Sequence, residues 1–305
     1  MGPELPSRVA GGEALASVIA RDPVGWLGGA TAAALGASPL LIKLLDAAQV
    51  LSLQVHPRTD DPTLVASGRS GKAEAWFVLD AEEGAHLYLG LREGVTRRDV
   101  EESLSAGAGM ERLLQRVSVQ PGDAFVLYPG TVHAIGPGVT LLEPQWVRPG
   151  CAAVTYRFWD WGRRYDAAGV LDPAGALRPL HQEDSLRATR WEGPRGEAFV
   201  AACRARPEAL DVAGGSALRG LRVFSEPWLE LTLWEGTGAF ALPRPGELVA
   251  VTCLRGHARI SGGGASLNVP LGTSAVVPAA LGEVRVEADD AQCFVCFVRA
   301  RGADT

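Results

Sequence analysis

From about residue 49, apolar and polar positions along this chain mostly alternate with a period of two. The short segments VLSLQVH, EAWFVLDA, AHLYLGL, RVSVQ, DAFVLYP, VTLLEPQ and VTYRFWDW are rich in β-branched and aromatic residues and are bounded by Gly, Pro or Asp. Such runs predict strands, because successive strand side chains point to opposite faces. A second set follows from about residue 217: LRVFSEPWLELTLWEG, ELVAVTCLRGHARISG, TSAVVPAAL and EVRVEADDAQCFVCFVRA. Residues 12–48 read as helical instead, with Ala and Leu at helical spacing in GEALASVIARDP and ATAAALGASPLLIKLLDAA. Helical spacing returns in TRRDVEESLSAGAGMERLLQRV, where Thr96 is the predicted N-cap and Asp99 stands in the capping-box position.

Two strand-rich halves with turn signals roughly every 8–12 residues predict a mainly β protein of two small jelly-roll barrels. The expected organisation is an N-terminal helical segment plus a first barrel over 1–165, with a helical insertion at about 95–116. A connecting arm rich in Pro, Gly and charge follows over 166–215, then a second barrel over 216–305. The 305 residues, 47% hydrophobic and 21% charged, suit a soluble chain of about two domains. A net charge of −6 with no block of clustered Lys and Arg argues against nucleic acid as a partner. No apolar stretch reaches the roughly 18 residues of a membrane span. MGPELPSRVAGGEALASV lacks the basic start and apolar core of a leader, so none is expected. Five cysteines (Cys151, Cys203, Cys253, Cys293 and Cys296) fit reduced thiols and a cytoplasmic location better than a disulfide framework.

Four stretches of the first half carry polar groups unusual for strand-rich core: SLQVH, GKAEAW, PGTVHAIG and LLEPQ. Gln54 and His56 share one strand face, Glu74 opens another strand, and His133 follows a turn at Pro129-Gly130. Two imidazoles and two oxygens form a donor set suited to zinc or another divalent ion. Singly, each has an ordinary structural explanation, a strand histidine being more often a hydrogen-bonded core or rim residue than a ligand. The other histidines, His86, His181 and His257, lie beside charges or glycines and read as surface residues. CFVC near the end places Cys293 and Cys296 on opposite strand faces, so they read as core thiols.

PLLIKLLDAAQVLSLQVHP, GKAEAWFVLDAEEGAHLYLGLREGVTRRD, VQPGDAFVLYPGTVHAIGPGVTLLEPQ and TYRFWDWGRR occur in this order. Together they resemble the type I mannose-6-phosphate isomerases, zinc enzymes of the cupin superfamily, strongly over about 37–165. The resemblance implies two cupin barrels, one zinc in the first held by Gln54, His56, Glu74 and His133, and a metal-free second barrel. It also implies that Arg157 and Glu143 are catalytic and that Ser52, Lys43 and Lys72 line a sugar-phosphate pocket. The implied reaction interconverts mannose 6-phosphate and fructose 6-phosphate through an enediol-type intermediate, in a monomer or homodimer. The chain departs from the family in its short N-terminal segment and in Tyr128-Pro129, where a tyrosine would narrow the pocket. The link between Glu143 and Arg157 is also longer by about four residues. Two alternatives stay open: a related cupin isomerase or epimerase acting on another sugar or sugar phosphate, which these departures permit, and a non-catalytic sugar-phosphate-binding cupin.

Overall fold

The computed structural model describes residues 6–9, 11–212, 217–243 and 246–299. Its helices are α1 (Leu15–Arg21), α2 (Pro23–Leu27), α3 (Gly29–Leu35), α4 (Pro62–Ala66), α5 (Arg97–Ala106), α6 (Gln182–Ala188) and α7 (Gly196–Cys203). The strands of the first half are β1 (Leu40–Ala47), β2 (Leu53–Val55), β3 (Arg69–Ser70), β4 (Lys72–Ala81), β5 (His86–Leu91), β6 (Leu114–Ser118) and β7 (Ala124–Leu127). They continue with β8 (His133–Ile135), β9 (Val139–Val147), β10 (Ala152–Ala153), β11 (Tyr156–Trp159), β12 (Arg164–Tyr165) and β13 (Ala176–Leu177). The second half adds β14 (Glu208–Leu210), β15 (Ala217–Ser225), β16 (Leu229–Ala241), β17 (Val249–Gly262), β18 (Ala265–Val269), β19 (Thr273–Val277) and β20 (Arg285–Val298). The protein is mainly β. It divides into two compact units: Leu41–Ala205, and the segment ending at Leu40 together with Arg206 onward.

The 41–205 unit has a four-stranded sheet, β1-β9-β4-β7, and a five-stranded sheet, β11-β2-β8-β5-β6. Alternation along each strand decides what fills the space between them. Trp76 and Val78 of β4, Leu87 and Leu89 of β5, Phe125 and Leu127 of β7 and Leu141 of β9 form one buried cluster. The intervening residues of the five-stranded sheet, among them Leu53, Val55, Tyr88, Ala134, Tyr156 and Phe158, face outward into a second cluster capped by Val100 and Leu104 of α5. α5 begins as its sequence predicts, with a complete Thr96–Asp99 capping box.

Four sequence expectations change. Helices α1–α3, expected with the first barrel, group with the strands beyond Arg206, because Ile19 and Leu27 are buried against Leu248. The run LLIKLLDA is strand β1, not helix. Pro39 disfavours helix at the residue before it, and the run that follows joins the sheet beside β9. The expected 95–116 insertion ends as helix by Leu113, and Leu114–Ser118 is a strand paired with β5. Residues 166–205, expected in the connecting arm, lie inside the compact unit, because Val200 and Cys203 of α7 are buried in the core.

The other unit holds α1–α3 and a seven-stranded sheet in the order β14-β15-β16-β20-β17-β18, with β19 added against β17. Its long strands β16, β17 and β20 change register at bulges, which bend and twist a sheet enough to wrap a core. Gly256 sits at one such point with φ +62, and an added Cβ there would lie 2.2 Å from the Asp290 carbonyl oxygen. The enclosed cluster, including Trp234, Phe240, Val251, Cys253, Cys293 and Phe297, consists of apolar side chains and thiols. The described cysteines are free, and Cys293 lies in this cluster while Cys296 is buried outside it, as opposite strand faces require.

Candidate metal centre

Strand register assembles the polar residues. In the five-stranded sheet Arg157 of β11 pairs with Gln54 of β2, Gln54 pairs with His133 of β8, and His133 pairs with Leu89 of β5. Directly paired residues of antiparallel strands share a face. Arg157, Gln54 and His133 therefore form one row on the face that carries Leu89 into the core between the sheets. In the other sheet Glu74 of β4 pairs with Gln145 of β9 on one side and Leu127 of β7 on the other. Glu143 and Gln145, two apart on β9, share that inward face. The inner faces are thus apolar at one end and polar at the other.

Entry to β4 depends on Gly71, where an added Cβ would fall 1.6 Å from the Pro57 carbonyl oxygen. Only glycine lets this chain pass so close beneath the segment that follows His56. Lys72 and Glu74 are positioned immediately beyond it.

His56, Glu74 and His133 are 3%, 1% and 4% exposed, and one ligand atom from each lies within 4.8 Å of the others. His133 Nε2 is 3.1 Å from Glu74 Oε1, and His56 Nε2 is 3.3 Å from Glu74 Oε2. The far nitrogen of each ring meets a backbone carbonyl, His56 Nδ1 at 3.2 Å from Val154 O and His133 Nδ1 at 2.9 Å from Thr131 O. A carbonyl only accepts, so Nδ1 carries the proton in each neutral ring and Nε2 presents a lone pair. Burial, together with the nearby Lys72 charge, pushes the His56 pKa down to about 3, so that ring is neutral at pH 7. For Glu74, burial favours the neutral acid, but the adjacent Lys72 ammonium, followed by the His56 and His133 rings, outweighs it and holds the carboxyl well below its ordinary range. The His56 Nε2 lone pair therefore faces a carboxylate in a dry site, and among the described residues His56 Nε2 and Glu74 Oε1 have no hydrogen-bond partner. Buried acceptors facing acceptors are costly unless a cation lies between them. A carbonyl behind each ligating imidazole is the usual companion of a metal ligand. The donor set fits a divalent ion.

The remaining expected site residues lie around this cluster. Gln54 donates Nε2–H to Ser52 Oγ at 3.1 Å. Lys72, expected to line a substrate pocket, is buried and donates to Glu74 Oε2 at 2.8 Å. Lys43 is partly exposed and donates to Glu143 Oε2 at 3.1 Å. Burial and then the Glu74 charge raise the Glu143 pKa, against the pull of Lys72 and Lys43. Arg157 turns its guanidinium to the Pro179 carbonyl, Nη1 to O at 2.9 Å, and burial followed by the nearby Arg178 charge lowers its pKa. Tyr128 is 37% exposed and lines a cavity with Thr131, Arg190 and Phe199.

Two contributors escaped the sequence reading. Gln145 is fully buried and donates Nε2–H to Glu74 Oε2 at 2.8 Å. Trp76 donates Nε1–H to Glu143 Oε1 at 3.1 Å and sets its ring edge against His133 at 5.3 Å between centroids. Period two was their available signal: Trp76 stands two from Glu74, and Gln145 two from Glu143.

The fold and the cluster define a cupin-type protein with a buried candidate metal centre in its 41–205 unit. No protein-family model matches the chain. It is 30% identical over 257 residues to mannose-6-phosphate isomerase ManA of Bacillus subtilis (strain 168), covering 84% of this chain and 74% of that one. It is 32% identical over 225 residues to mannose-6-phosphate isomerase of Streptococcus mutans serotype c, covering 74% of this chain but only 63% of the relative's length. A zinc-bound crystal structure of mannose 6-phosphate isomerase shares the fold, with a TM-score of 0.67 over 97% of this chain and 89% of that chain at 17% identity. The chain belongs to the mannose-6-phosphate isomerase family.

Proposed function

We propose that the chain is a zinc-dependent aldose–ketose isomerase interconverting mannose 6-phosphate and fructose 6-phosphate, with its catalytic machinery in the 41–205 unit. The observation that carries the reading is the dry meeting of His56 Nε2, His133 Nε2 and the Glu74 carboxylate, in a chain of this family. The zinc of the structural neighbour supports the choice of metal. Gln54, His56, Glu74 and His133 would hold the ion, which when bound supplies Lewis-acid polarisation of the sugar oxygens.

The chain's own groups do the rest. Glu143 carries the proton between C2 and C1. Its raised pKa brings the carboxylate closer to the working pH, where a general base is most effective. Trp76 and Lys43 fix one oxygen each of that carboxylate. Arg157 stabilises the negative oxygen of the enediol-type intermediate. Lys43, with its partly exposed ammonium, and Ser52 meet the sugar phosphate, and Lys72 offsets the Glu74 charge beside the site. The other unit is a cupin without a metal of its own. The protein works in the cytoplasm as a monomer or homodimer, without nucleic-acid or membrane partners. Among the described residues no helix is long and apolar enough to cross a membrane.

A coupled assay of the purified protein with mannose 6-phosphate, with and without a chelator, tests this reading. Chelator-sensitive formation of fructose 6-phosphate supports it. Bound zinc without turnover transfers the site to another sugar phosphate or to a binding role.

A further inference from the structure

The residues just after Arg157 form a network that the mechanism above does not use. Asp160 is 4% exposed, and both of its carboxylate oxygens are engaged. Arg178 grips it in a two-pronged pair, Nε to Oδ2 at 2.7 Å and Nη2 to Oδ1 at 2.6 Å, and Arg163 Nη2 adds a contact to Oδ1 at 2.5 Å. The segment that Arg178 begins is the one that holds Arg157. Pro179 O accepts from Arg157 Nη1 at 2.9 Å. His181 bonds both sides of the Arg157 backbone, its Nδ1 accepting from Arg157 N–H at 3.0 Å and its N–H donating to Arg157 O at 2.8 Å.

The same turn reaches the strand that carries Gln54 and His56. Trp161 Nε1 donates to Leu51 O at 2.8 Å, and Arg163 Nη1 donates to Val50 O. Electrostatics adds a second consequence. Asp160 is occupied by Arg178 and Arg163, and no ion pair joins Arg157 to a carboxylate among the described residues. Its positive charge is left for an incoming anion, while a two-pronged arginine–carboxylate pair supplies the geometric precision of the clamp.

We propose that Asp160 and Arg178 are positioning residues that hold Arg157 at the metal-site row through the 178–181 segment and keep its charge unpaired. The proposal rests on the isomerase reading for the role of Arg157. Arg178→Met lowers kcat by on the order of 10- to 100-fold, the usual cost of displacing a catalytic group by about an ångström. Zinc content and secondary structure stay unchanged. Arg178→Lys recovers only part of the turnover, because an ammonium keeps the charge without the fork.

The deciding test is a double-mutant cycle. In an Arg157→Ala background, Arg178→Met causes no further loss of kcat if it acts through Arg157. An equal fold-loss in both backgrounds, or a lowered melting temperature with wild-type kcat, overturns the proposal. If Arg178→Met does not fold, the isosteric Asp160→Asn carries the same cycle. If the wild type does not isomerise mannose 6-phosphate, the isomerase reading fails and the clamp is judged by NMR of the Arg157 Nε–H. A shifted or broadened signal in Arg178→Met sustains it, and an unchanged one ends it.

Discussion

Between the sheets of the 41–205 unit, Trp76, Val78, Leu87, Leu89 and Phe125 fill one end, while Gln54, His56, Glu74, His133, Glu143 and Gln145 lie on the same inward faces at the other. The unit of α1–α3 and the seven-stranded sheet encloses Trp234, Phe240, Val249, Val251, Cys253 and Phe297. Both interiors come from alternating strands, and the difference is which residue types occupy the inward positions. An apolar interior stabilises its unit by burial alone. A buried polar cluster costs stability unless every group finds a partner. In the first unit, Lys72 and Gln145 satisfy one oxygen of Glu74 and backbone carbonyls meet both Nδ1 atoms, while His56 Nε2 and Glu74 Oε1 remain open among the described residues. The comparison teaches that buried acceptors left facing one another, as at His56 Nε2 and Glu74 Oε1, mark function.

The comparison breaks first at the histidines. His133→Ala abolishes both zinc binding and isomerase turnover, read by metal analysis and the coupled assay. Arg157→Ala retains the zinc and the fold but loses on the order of 10²- to 10³-fold in kcat, the usual cost of removing a donor that stabilises developing negative charge. Wild-type turnover in that variant removes Arg157 from the mechanism. In the second unit Val251→Ala, at a fully buried position, lowers stability by about 2 kcal/mol with unchanged zinc content and kcat, measured by denaturant unfolding and assay.

Acid sharpens the contrast. The folded pKa of His56, about 3, lies below its ordinary 6.5, so the unfolded chain binds that proton more readily. This group's contribution is complete above about pH 6.5 and is lost as pH falls toward 3. Glu74, also depressed, acts in the same direction at the acid end. The melting temperature of the metal-stripped protein therefore drops through this window, and His56→Gln flattens the part of the drop above the carboxylate range. Smallest is Thr96→Ala, which removes the α5 cap and costs about 1 kcal/mol without changing kcat.

Much of this was legible in the chain. Period-two alternation locates the strands of both halves, and QVH, Glu74 and the turn before His133 point to the residues that the fold brings together. The α5 cap was legible because capping is local chemistry. What stayed hidden was decided by tertiary partners. Leu40–Ala47 reads as helix until β9 lies beside it, and α7 reads as a connecting arm until Val200 and Cys203 meet the core. The resemblance places Lys72 in the substrate pocket, and nothing in GKAEAW reveals that its ammonium turns onto Glu74. The hold on Arg157 by the 178–181 segment spans more than twenty residues of sequence, beyond the reach of any local pattern.

The most direct test of the central claim is anomalous diffraction at the zinc edge from crystals of the protein purified without chelator. The account predicts one peak, bounded by His56 Nε2, His133 Nε2 and the Glu74 carboxylate. A peak elsewhere, beside His257 in the second unit for example, or no peak at this cluster in zinc-replete crystals, would contradict it.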